Sequence, residues 1–212
     1  MSVITISRES GSEGNEIAQI LCQRLGYRQF DKGMMLQLAK ELGPDTPKVA
    51  DTAENLPIKK SLFDRVWESL QSVLESGHES QQTISIETGK PLTVKQVQEL
   101  ILAAYNYGNM VIIGRGSQIV LANMPNVLHV RVVAPLEKRI RNWQAREGLA
   151  YKDASKKVKE RDSAHIAFLK NFFDTDIRDP ELYDLLVNTN KLSPQDAADL
   201  IITALQHIQS PN

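Results

Sequence analysis

Short apolar runs alternate along the chain with longer stretches whose apolar positions repeat every three to four residues. Val3 to Ser7, Met110 to Ile113 and Val127 to Val133 are compact and apolar, the pattern of strands buried on both faces. Tyr183 to Val187 reads as the last strand. Apolar residues at 17, 18, 20, 21 and 25 predict a helix over Asn15 to Leu25, with Gly26 as its C-cap. Tyr27 to Phe30 reads as a short connection to Asp31, and Met34 to Leu42 as a helical run stopped by Gly43-Pro44. Asp45 to Asn55 is a polar loop, Ile58 to Leu74 an amphipathic helix, and Ser76 to Thr88 a polar loop or loose hairpin. Helices are expected again over Val94 to Tyr107 and Leu136 to Arg146, the latter opened by Pro135. A charged helical segment follows Gly148 as far as about Asp176, and Ser193-Pro194 opens a final helix reaching about Gln206. Strands alternating with helices make the class α/β with a mainly parallel sheet.

Composition adds bounds. With 212 residues, 42% hydrophobic and 24% charged, the chain is ordinary globular material at the upper end of one domain. No apolar run approaches the roughly 20 residues of a membrane span. The N-terminus enters the first strand at once, leaving no room for a signal peptide. The one cysteine, Cys22, reads as a buried apolar side chain, and the expectation is a reducing cytoplasm. A net charge of −1 argues against a general nucleic-acid binder. Glu137 to Asp162 nevertheless holds nine Lys/Arg against five Asp/Glu, a net +4 against −5 for the remainder. Such a basic stretch is either a solvated helix face or a partner for a small polyanion.

Ile4-Thr5-Ile6-Ser7-Arg8-Glu9-Ser10-Gly11-Ser12-Glu13-Gly14-Asn15-Glu16-Ile17-Ala18 runs from strand through a Gly/Ser loop into helix. That is the layout of a phosphate-binding loop, or P-loop, in which backbone N–H groups and a helix N-terminus face an anion. Aligned on G-x-x-x-x-G-K-[ST], Arg8 and Glu13 stand at the two glycine positions. Gly14 stands at the lysine and Asn15 at the hydroxyl. Either the loop wraps a triphosphate, with Arg8 supplying the missing charge, or it is a plain strand-to-helix turn.

Four segments in order decide how to read it. ITISRESGSEG-NEIA resembles an ISRE-x-GSGG strand-loop, and Leu25-Gly26-Tyr27-Arg28-Gln29-Phe30-Asp31-Lys32 an LG-x-x-x-YD-K segment. Val111-Ile112-Ile113-Gly114-Arg115-Gly116-Ser117 is similar to V-IxGRG. Asp179-Pro180 through Tyr183-Asp184-Leu185-Leu186-Val187-Asn188-Thr189 and Leu192-Ser193 is similar to DP-x-x-YDLVxNT-x-x-LS. Together they resemble the cytidylate kinase-like family of nucleoside monophosphate (NMP) kinases over nearly the whole chain.

The resemblance implies a three-layer P-loop fold with a core (about 1–44, 109–136 and 182–212), a helical NMP-side insert (about 45–108) and a lid (about 146–178). It implies ATP and Mg²⁺ as cofactors and phosphoryl transfer to CMP, dCMP or another small acceptor. Ser10, Gly11, Ser12, Glu13, Gly14, Asn15 and Glu16 would hold the donor phosphates, with Asn188 and Thr189 beside the adenine or serving only as a turn. Arg115 would grip the acceptor phosphate, and Asp31 the acceptor nucleoside unless it is simply a helix cap. Arg139 and Arg161 are the favoured lid cations, Arg8 the replacement for the loop lysine.

Departures from the pattern matter as much. The family resemblance leads one to expect a basic residue where Asn15 stands and a lid arginine where His165 stands. Cytidylate kinases proper carry a lysine at Gly14 and an aspartate at Gly116. These substitutions keep two other readings open: a nucleotide-binding protein without turnover, and a kinase of a non-nucleotide metabolite. The Mg²⁺ ligands are not readable, since Glu9, Asn15 and Glu16 all qualify. Ile58 to Leu74 serves equally as core or as a homodimer interface.

Overall fold

The computed structural model describes residues 1–35 and 93–209. It divides into two compact units, Met1–Gln29 with Asn109–Asn212, and Phe30–Gly108. The first unit carries β1 (Val3–Arg8), α1 (Gly14–Leu25), β3 (Met110–Ile113), α3 (Ser117–Val120) and β4 (Val127–Val133). It continues through α4 (Leu136–Glu147), α5 (Tyr151–Phe173), a 3₁₀ turn (Pro180–Leu182), β5 (Leu185–Asn188) and α6 (Pro194–Gln209). β2 (Arg28–Phe30) crosses the division, and α2 (Val94–Tyr107) belongs to the second unit.

The sheet order is β2-β3-β1-β4-β5, and the registers of β1 with β3 and β4, and of β4 with β5, are parallel. One sheet face is apolar. Ile4, Ile6, Val111, Ile113, Leu128, Val130 and Val132 pack there against Ile17, Ala18 and Leu21 of α1 and Ala197, Ala198, Ile201 and Leu205 of α6. Thr5, Ser7, His129 and Arg131 are buried too, and the period-2 alternation of a strand sends them to the opposite face. α4 and α5 form a helical hairpin with its own small core of Ile140, Trp143, Ala154 and Val158. In the second unit Phe30, Met34 and Met35 are buried, as are Val97, Leu100, Ile101 and Ala104 of α2.

The strands differ from expectation at their ends. Arg28–Phe30 is a strand, not a mere connection, and Arg28 N–H donates to the Asn109 carbonyl at 3.0 Å. β5 begins at Leu185 rather than Tyr183, because Tyr183 N–H closes the 3₁₀ turn onto Pro180 and Asp184 Oδ2 accepts from His129 N–H at 2.7 Å. α5 stops at Phe173, where Asp174 takes a left-handed cap. Ser193 and Asp196 cap α6 reciprocally, as the Ser-Pro signal predicted, and α6 extends to Gln209. Helix Ile58 to Leu74, loops 45–55 and 76–88, and most of Met34 to Leu42 lie outside the described residues.

Candidate functional site

β1 delivers its C-terminal end into a loop held from below. Glu9 N–H donates to Val132 O at 3.1 Å, and the buried Ser12 hydroxyl donates to Glu9 O at 2.9 Å. Gly11 and Glu13 are both left-handed, with φ 84° and 67°. A left-handed glutamate is strained by roughly 1 kcal/mol relative to glycine. It holds the backbone shape of the second loop glycine although the residue has changed. The Glu13 carboxylate turns to Lys138 at 2.7 Å, so no side chain caps the first turn of α1. An uncapped helix start at the end of a central parallel strand is where an anion binds.

The lysine position shows why a glycine stands there. A Cβ on Gly14 would lie 2.7 Å from Arg8 Cβ and 3.0 Å from its Cγ. Side chains at 8 and 14 therefore exclude one another, and in this chain the side chain stands at 8. Arg8 Nε donates to Asn15 Oδ1 at 3.1 Å, and its guanidinium reaches the exit of β3, where a Cβ on Gly114 would meet Nη1 at 2.8 Å.

That exit is the segment Gly114-Arg115-Gly116, with φ of 70°, 61° and 73°. Ser117 N–H closes the turn onto Gly114 O at 3.1 Å, and the Phe173 ring fills the space a Cβ on Gly116 would need. Arg115 is half-buried, and burial pulls its pKa below the ordinary guanidinium value. Among the described residues it has neither a hydrogen bond nor an ion pair.

The helical hairpin meets the loop from the other side. Arg139, 7% exposed, donates to Ala134 O at 2.9 Å and Ser10 O at 3.3 Å, and pairs with Glu9 and Asp162. Asp162 also accepts the Ser10 N–H at 2.9 Å, so a carboxylate of α5 occupies a loop donor. Asn142 donates to Gly11 O and the Trp143 indole to Ser10 Oγ, each at 2.9 Å. Arg146, Lys157 and Arg161 lie 4.0, 4.7 and 4.6 Å from the Trp143 ring centroid.

Beneath the loop runs a buried polar row. Thr5 Oγ1 meets His129 Nδ1 at 2.8 Å; Arg131 Nη1 donates to Ser7 Oγ at 3.1 Å; Tyr183 Oη donates to Ile177 O at 2.9 Å and lies 3.3 Å from Ser7 Oγ. His165 faces Arg8 and Arg131 from α5. Burial, then the Coulombic push of those two arginines, lowers its pKa to about 4, against the pull of the Arg8 main chain and Asp162. Sequence reasoning passed over Ser7, Arg131, Tyr183, Trp143 and Asp162. The signal for Arg131 was present: a charge inside the apolar run Val127 to Val133 needs a reason.

The other expected residues fall as follows. Arg161 is exposed at the tryptophan, and Glu16 is exposed on α1. Thr189 is buried and donates to Ser12 O at 3.2 Å, tying β5 to the loop, while Asn188 Oδ1 accepts from Asn190 N–H at 2.9 Å in a local turn. Asp31 lies in the second unit, where Oδ1 accepts the Met34 N–H at 3.1 Å as a helix cap would. Burial pushes the Cys22 thiol up to about 12, which leaves it unreactive. Among the described residues no three His, Cys, Asp or Glu side chains are grouped to hold a metal. Glu9, Glu13 and Asp162 are each tied to Arg139 or Lys138, so these residues do not compose a Mg²⁺ site. No helix among the described residues is long and apolar enough to cross a membrane.

Comparison with known proteins places this geometry. Residues 3–191 match the sequence profile of the cytidylate kinase-like family. A cytidylate kinase of Pyrococcus horikoshii is 25% identical over 207 residues, 97% of this chain and 89% of that one. One from Pyrococcus abyssi is also 25% identical, covering 97% and 94%. Among solved structures, an uncharacterized protein from Eubacterium ventriosum superposes with a TM-score of 0.62 at 18% identity, covering 97% of this chain and 99% of that one. Shikimate kinase from Acinetobacter baumannii, in complex with shikimate, superposes at 0.50 with 14% identity, covering 100% and 96%. The structural likenesses establish the fold, an α/β kinase fold on a parallel five-stranded sheet.

Proposed function

The chain belongs to the cytidylate kinase-like family, and from that premise we propose that it transfers a phosphoryl group from ATP to a nucleoside monophosphate, CMP or dCMP foremost, with Mg²⁺ as cofactor. The observation that carries the reading is Arg115. A half-buried guanidinium without a counter-charge among the described residues, on a left-handed backbone at the end of a parallel strand, is costly to hold unless an anion completes it. Its place beside the strand ends suits a phosphate presented to the loop. Arg8, the uncapped start of α1 and the loop from Ser10 to Asn15 would hold the donor, and Arg161 would approach from the hairpin. Phosphoryl transfer demands little else, because positioning and neutralisation of the moving phosphoryl oxygens supply most of the rate.

The test is coupled ADP release from ATP and Mg²⁺ with CMP, dCMP, UMP, AMP and GMP. Turnover is expected with CMP or dCMP, and Arg115→Ala should lower kcat/KM by about 100- to 1,000-fold. ATP binding without turnover on any of the five refutes the reading. It would favour a nucleotide-binding protein without catalysis, for which the glycine at the lysine position speaks.

A further inference from the structure

Two arginines in the first unit are almost equally buried, and they are treated very differently. Arg139, 7% exposed, has two carboxylates and two carbonyls around it. Arg131, 6% exposed, has one hydrogen bond, to the neutral Ser7 hydroxyl, and the Tyr183 ring 5.6 Å from its guanidinium carbon. Among the described residues no carboxylate lies within ion-pair distance of it. The Asp176 carboxylate acts on it electrostatically from beyond that distance. A guanidinium offers five donors, and burying one with a single neutral hydrogen-bond partner is unfavourable, so the contacts present leave Arg131 undersatisfied.

The sheet register says where this charge lies. β4 pairs with β1 at Ser7↔Arg131, one residue before Arg8, while β3 pairs at Ile6↔Ile113 and then turns through Arg115. In the order β3-β1-β4, Arg115 lies just beyond the end of β3, Arg8 ends β1, and Arg131 lies two residues before the end of β4. His165, on α5, faces Arg8 and Arg131, whose charges add to burial in lowering its pKa.

We propose that Arg131 is a phosphate-binding residue of this site, donating from beneath the loop to oxygens of the bound phosphate chain and supplying charge that the loop lysine does not. The inference rests on the phosphoryl-transfer reading and adds to it a residue from β4, beside the central strand β1. The rival account makes Arg131 a brace for Ser7 and Tyr183.

Arg131→Met separates the two. Thermal midpoints are measured without ligand, and dissociation constants for ATP and for inorganic tripolyphosphate by calorimetry, all at one salt concentration. The expected result is a ligand-free midpoint equal to or above wild type, since an apolar side chain often replaces a buried charge without loss. Both dissociation constants should rise about 10- to 100-fold, the range for one or two charge-assisted hydrogen bonds. A lowered midpoint with both constants unchanged overturns the proposal. If Arg131→Met does not fold, Arg131→Gln, which keeps a donor for Ser7 without the charge, decides by the same criteria. Wild-type protein that binds tripolyphosphate but not ATP refutes the nucleotide reading and leaves this one to the variants. Binding of neither refutes both.

Discussion

The exchange between positions 8 and 14 can be measured as a coupling. Gly14 lies outside the residues of positive φ, so space alone excludes a side chain there. In Gly14→Ala the new Cβ lands 2.7 Å from Arg8 Cβ, and two Cβ atoms fixed by their backbones cannot escape by changing rotamer. The overlap approaches 1 Å against ordinary contact, and overpacking of that order destabilises by about 2 kcal/mol. For a chain of this length that lowers the midpoint by about 4–8 °C. In an Arg8→Gly background the obstruction is gone, and Gly14→Ala should be neutral or slightly stabilising, since alanine is the better helix former. The double-mutant cycle should therefore give a coupling of about 2 kcal/mol by urea denaturation of the four proteins. Arg8→Gly combined with Gly14→Lys should likewise recover much of the ATP affinity that Arg8→Gly alone loses. Additivity within about 0.5 kcal/mol, or no recovery in the lysine variant, would show that the two positions do not trade one side chain.

Two further outcomes follow from the hairpin. Asp162→Ala removes the acceptor of Ser10 N–H and one of the two carboxylates of Arg139, which keeps Glu9 at 3.3 Å. Scanning calorimetry should show a ligand-free loss of about 2 kcal/mol. ATP should nevertheless bind several-fold more tightly by titration, because a competing anion has left the loop; weaker ATP binding would instead make Asp162 part of the nucleotide site. His165 sets a pH dependence. Its folded pKa, about 4, lies below the ordinary 6.5, so its contribution is complete above pH 6.5 and is lost as pH falls toward 4. The shift is worth about 3 kcal/mol, and urea midpoints of wild type should fall more steeply than those of His165→Gln across that window; parallel slopes would contradict the assignment.

The sheet was readable because strands buried on both faces need continuous apolar runs, and Met110 to Ile113 and Val127 to Val133 supply them within the observed bounds. β2 was missed because Arg28-Gln29-Phe30 has no such run; a three-residue strand is defined by its neighbour, not by its own pattern. Glu13 hid the loop glycine, since nothing in a single sequence says that a glutamate will accept a left-handed backbone and spend its carboxylate on Lys138. Thr189 was expected beside the adenine or in a turn; its buried hydroxyl also donates to the Ser12 carbonyl, a contact 177 residues away in sequence that no local pattern encodes. The role of Asp162 is equally non-local, for its partner amide at Ser10 is 152 residues distant.

The charges at this site sort by the element that carries them. On the helical hairpin Arg139 is paired, and the exposed Arg161 lies against the Trp143 ring, as Arg146 and Lys157 do. At the strand ends Arg115 has no carboxylate partner among the described residues, Arg131 has only the Asp176 carboxylate acting on it from beyond ion-pair distance, and Arg8 reaches Gly114 at the β3 exit. On the proposed reading a phosphate would meet Arg8, Arg115 and Arg131, with Asp162 of α5 already on the Ser10 N–H. A lysine at position 14 would put its Cβ 2.7 Å from Arg8 Cβ, so on that reading the loop carries its cation either at the helix start or on β1 and not at both.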